Sequence, residues 1–92
     1  MARYRKKPVV IEAFQMTAPN DYSEWPEWLK DAWSRKLGET NGMWVNPNTK
    51  ELMCGTLEGP HVISPDDFVI QGVAGEIYPC KPDIFEATYE KV

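Results

Sequence analysis

An α+β fold is predicted: a small, strongly bent antiparallel sheet or partial barrel, with one long amphipathic helix and a short carboxyl-terminal helix. Three observations lead there. Between Ser23 and Gly38, apolar residues recur at helical spacing. Before that stretch lies one β-branched run, Val9 to Met16, and after it come five short β-like runs separated by turn residues. The last two of those runs, within PDDFVIQGVAGEIYPCKPDIFEATYE, read as a hairpin that feeds the final helix.

Taken in order, the chain begins with a basic leader ended by Pro8. The run VVIEAFQM then puts Val10, Glu12, Phe14 and Met16 on one face of a strand and Val9, Ile11 and Ala13 on the other. Both faces are partly apolar, so this strand is expected inside the sheet and not at its edge. Thr17 to Asp21 reads as a loop. Ser23 is expected to cap a helix that has Glu24, Pro26 and Glu27 in its first turn and stops at Gly38. Trp25, Trp28, Leu29, Ala32, Trp33 and Lys36 share one face of it, so the three tryptophans are expected to lie on the sheet.

Asn41 and Gly42 turn the chain into a strand over Met43–Asn46, which the Pro47–Lys50 turn joins to Glu51–Leu57. Glu58, Gly59 and Pro60 interrupt before a short strand at His61–Ile63. Phe68–Ile70 and Ile77–Cys80 follow, around a reversal that contains Gly72 and Gly75. Pro82 suits a first helical turn, with Ile84, Phe85 and Thr88 expected to face inward.

Ninety-two residues make one domain, 1–92, and a chain of this size buries roughly 60 to 65% of its unfolded surface. Four tryptophans and four tyrosines supply large apolar area for a core or a binding surface. Arg3, Arg5, Lys6 and Lys7 give the leader four positive charges, so the formal net charge of −4 leaves the remainder at −8. An acidic body opposes extended nucleic-acid binding, which needs a positive face. The basic arm is free to meet a nucleotide, an RNA or an acidic patch on a neighbouring subunit.

Cys54 and Cys80 are too few and too far apart for a zinc site, and no metal or cofactor is expected. The charged opening and the shortness of Val9–Ile11 fit neither a signal core nor a membrane span, so a cytoplasmic setting is expected. Phosphate-loop, dinucleotide and zinc-protease signatures are absent from the sequence. His61 is the only histidine, and Asp66 and Asp67 are adjacent carboxylates of which the first suits a turn. Glu76 and Tyr78 share a strand face, with Lys81 just beyond.

The opening ARYRKKPVVIEAFQ and the closing PDDFVIQGVAGEIYPCKPDIFEATYE resemble a group of small phage and prophage proteins, the PGDYG group. Asp66 stands where that group has glycine, and Phe68 where it has tyrosine or tryptophan. The resemblance implies a phage-encoded protein in the cytoplasm of a bacterial host and, by analogy, a counter-defence role. With no catalytic set legible, a non-enzymatic binder that sequesters a small anionic nucleotide-type signal is expected. Arg3, Arg5, Trp44, Tyr78 and Lys81 are its candidate ligand-binding residues, gathered where subunits of a homo-oligomer meet. Two alternatives stand beside it. One is an inhibitor of a host protein acting through the acidic Glu24, Glu27, Asp31 and Glu39; the other is a small nucleotide-directed enzyme with His61 or Glu76 as base.

Overall fold

Pairing between distant strands splits the expected single sheet in two. The computed structural model describes residues 2–5, 8–17 and 21–92, so Lys6 and Lys7 of the leader and the middle of the expected Thr17–Asp21 loop lie outside the described residues. The elements are β1 (Glu12–Gln15), a 3₁₀ turn (Tyr22–Glu24), α1 (Glu27–Ser34), β2 (Met43–Val45), β3 (Leu52–Thr56), β4 (Gly59–Ile63), β5 (Phe68–Gln71), β6 (Ile77–Cys80) and α2 (Pro82–Thr88). One antiparallel sheet has the order β1-β5-β6 and the other β2-β3-β4. This is the α+β class, but neither sheet curls into a barrel. The break falls at Ser64–Asp67. There Asp66 takes a φ of 71° and Asp67 accepts the Ser64 N–H at 2.9 Å, so the chain turns away from β4 before β5 begins.

The expected long helix is also corrected. The residue before a proline is held in extended backbone, and Trp25, at ψ 141°, ends the 3₁₀ turn instead of carrying it into a helix. Asp21, not Ser23, caps that turn by accepting the Ser23 N–H at 2.9 Å. The α-helix restarts at Glu27 behind Pro26 and ends at Ser34, before the turn in which Gly38 takes a φ of 82°. Eight residues remain, and they bury Leu29 and Ala32.

These two side chains sit on a core built from both sheets. Val69 and Ile77 come from one sheet, and Met43, Cys54 and Ile63 from the other, with Met16 between and Phe14, Trp25, Trp28 and Leu52 packed around it. Each fully buried aliphatic side chain contributes about 1.5 to 3 kcal/mol. The sheets meet where β6 lies against β3 and β4. The opposite face of the β1-β5-β6 sheet is covered by α2: Phe85 stacks on Phe68 with ring centroids 3.8 Å apart, and Ile70 is buried on the same side. Phe85 and Tyr89 therefore face inward, whereas Ile84 and Thr88 are exposed, contrary to expectation.

A third correction concerns β1. Among the described residues it pairs only with β5, through Glu12–Gln71 to Gln15–Phe68, and so occupies an edge and not the interior. Its two apolar faces have separate causes. Phe14 joins the core and Ala13 lies over the α2 side, while Val9 and Val10 precede the strand and stay exposed.

Candidate functional site

An open aromatic concavity lies where the 3₁₀ turn and α1 meet the end of β1. Tyr22, Trp25 and Trp33 line it with Met16 and Leu52, around a volume of about 560 Å³. Local sequence explains the cluster. The proline-enforced break at Trp25 lets Tyr22 and Trp25 fold back toward the helix, one turn of which then brings up Trp33. The Tyr22 and Trp25 ring centroids are 5.1 Å apart and tilted, while Trp25 and Trp33 meet edge to face at 5.9 Å. Trp33 is 39% exposed, so it turns outward rather than lying on the sheet as its helical spacing suggested.

A charge completes this arrangement. The Lys30 ammonium lies 5.4 Å from the centre of the Tyr22 ring, a cation–π distance. Asp21 and Glu24 stand nearby in the chain but are exposed to water. The hydrogen bond from the Ser23 N–H holds the Asp21 carboxyl below its usual range. Planar faces beside a positive charge suit a flat ring that carries an anion.

Comparisons of the chain with protein-family models, with characterised proteins and with solved structures found no match.

The five residues named from the sequence fall in different places. Arg3 and Arg5 flank Tyr4 on the exposed leader. Trp44 is half-buried on β2, paired with Met53 and thus on the face of its sheet opposite Met43. Lys81 sits just before α2, its ammonium 3.4 Å from the buried Asp67 carboxylate. Tyr78 lies on β6, hydrogen-bonded to Tyr89, and burial, with that bond second, pushes its hydroxyl up to about 12.

Tyr78 also lines a cleft of about 290 Å³ with Glu58, His61 and Glu76, at the mouth between the two sheets. Both groups considered as bases are here. Glu76, however, is held to its own turn, where its carboxylate accepts the Ala74 N–H at 3.1 Å. Among the described residues no group of three or more His, Cys, Asp or Glu side chains is placed to hold a metal ion. No helix among them is long and apolar enough to cross a membrane.

Glu24, Glu27, Asp31 and Glu39 are all exposed, as an acidic docking face requires. Lys30, Arg35 and Lys36 interrupt them, and Arg35 pairs with Asp31 at 3.3 Å. The field of that surface is consequently mixed. Tyr22 and Lys30 were not singled out from the sequence, because their role depends on a fold-back across Pro26. The one local signal was the Tyr22, Trp25 pair three residues apart ahead of a proline.

Proposed function

We propose that this protein is a non-enzymatic binder of a small anionic nucleotide-type ligand, whose base stacks in the Tyr22, Trp25, Trp33 concavity and whose phosphate meets Lys30. The observation that carries this reading is the edge-to-face tryptophan pair in an open concavity whose third ring, Tyr22, has the Lys30 ammonium 5.4 Å from its centre. Stacking of one base on aromatic side chains is worth about 1 to 3 kcal/mol. The Lys30 ammonium beside Tyr22 favours an anionic group at that ring. The resemblance of the two chain ends to phage proteins supports sequestration of a host defence signal as the setting.

The site is open, so an affinity in about the 10 µM to 1 mM range is expected. Calorimetry and tryptophan fluorescence against a panel of mononucleotides, cyclic nucleotides and cyclic dinucleotides test this. Saturable binding should disappear in Trp33→Ala and weaken in Lys30→Gln. Silence of the wild-type chain across the whole panel, or binding untouched by both substitutions, overturns the proposal.

A further inference from the structure

Among the described residues, β1 is an edge strand that continues an exposed apolar run, Val9 and Val10. β1 bonds to β5 on one side only, and its other side meets no strand among the described residues. Glu12–Gln15 contains neither lysine nor proline, the residues that usually blunt an exposed edge. Ahead of it lie Pro8 to Ile11, outside any helix or strand, with Val9 50% and Val10 72% exposed. Val9, Val10 and Ile11 join Phe68, Phe85 and Tyr89 along a groove of about 420 Å³.

We propose that this edge pairs antiparallel with the same edge of a second copy, giving a two-fold dimer in which Arg3 and Arg5 of each copy meet the other subunit. Charge selects a second copy as the occupant. The leader carries four positive charges and the remainder of the chain a net −8, so a partner of identical sequence supplies both an acidic body and a basic leader. An antiparallel neighbour runs its leader beyond the carboxyl end of β1. There Met16 donates to the Asp67 carbonyl at 2.9 Å and accepts from Asp66 N–H at 2.9 Å, and the Asp66 side chain is exposed. Arg3 and Arg5 of each copy thus approach the carboxylate end of the other. A two-fold axis makes these contacts twice, residue for residue.

Sedimentation velocity of the full chain, under reducing conditions and across a wide concentration range, tests the pairing. A reversible dimer is expected that weakens as salt is raised from about 50 to about 500 mM, because screening shortens the reach of the leader's charges. Val10→Lys, at an exposed position, should weaken the dimer about tenfold or more while leaving the far-ultraviolet spectrum and melting temperature of the monomer in place. Arg3→Glu with Arg5→Glu should weaken it and flatten its salt dependence. A monomer at every concentration overturns the proposal, as does a dimer indifferent to both sets of substitutions.

Discussion

Lys81 places its ammonium 3.4 Å from both carboxylate oxygens of Asp67, the one buried charged side chain among the described residues. The pair ties the start of α2 to the turn that separates the two sheets. Asp67 is 2% exposed, and its carboxylate has a second partner in the Ser64 N–H. Removing the ammonium leaves a desolvated carboxylate without its counter-charge. Lys81→Met is therefore expected to lower stability by about 1 to 3 kcal/mol in urea unfolding. A change below about 0.5 kcal/mol, the usual scale for surface positions, would show that water replaces the ammonium at no cost.

Asp66 sits beside this pair with a φ of 71°, in the left-handed region that glycine enters without strain. Its backbone N–H donates to the Met16 carbonyl at 2.9 Å, which holds the conformation in place. Asp66→Gly should stabilise the chain by about 0.5 to 1 kcal/mol. Lys50, at a φ of 67°, should respond in the same direction. Destabilisation in both variants would contradict the assigned backbone.

Gly55 answers to contact and not to dihedral angle. A β-carbon there would run into the backbone carbonyl of Glu39, which passes over β3 as Asn41 N–H donates to the Gly55 carbonyl at 2.7 Å. Gly55→Ala is expected to cost about 1 to 3 kcal/mol. Gly72→Ala meets only the flexible carboxylate end of Glu76 and should cost less. Equal melting temperatures for the two variants would argue against the close crossing.

The two thiols should separate in alkylation. Cys54 is fully buried, and burial raises its thiol to about 12. Cys80 is half-buried, and its thiol is raised first by burial and then by the Asp67 and Asp83 carboxylates. Iodoacetamide at pH 8 should modify Cys80 in the native chain and Cys54 only after unfolding. Simultaneous labelling of both would show that the core opens.

Alkaline stability follows from the Tyr78 hydroxyl and the Cys54 thiol, both raised to about 12. A raised value means that the folded chain keeps a proton the unfolded chain has lost. The resulting stability is complete below the ordinary values, 10 for the hydroxyl and 9 for the thiol, and is lost as the pH climbs toward about 12. The melting temperature should fall across that window, and less steeply above pH 10 in Tyr78→Phe. An identical slope in the variant would assign the fall to other groups.

Local chemistry made parts of this fold legible. The Phe68–Gln71 and Ile77–Cys80 hairpin, the Pro82 start of α2 and the inward Leu29 and Ala32 are where turn residues and periodicity place them. Pro26 shows the limit of such reading. Its tolerance in a first helical turn was legible, but its hold on Trp25, which shortened α1, prevailed. The aromatic concavity was legible only as an abundance of rings, because the outward turn of Trp33 depends on where the shortened helix sits.

By itself the sequence determined the order of strands and helices, the basic leader on an acidic body and most of the turns, although Gly59 and Pro60, expected to interrupt, pair within β4. Tertiary structure alone decided that β1 joins β5 at an edge, that the buried Asp67 carboxylate accepts the Ser64 N–H, and that Lys81 faces it. Those outcomes turn on which distant surfaces bury the most apolar area for the chain entropy lost in closing the loops between them. Spacing within a single segment carries no record of that competition.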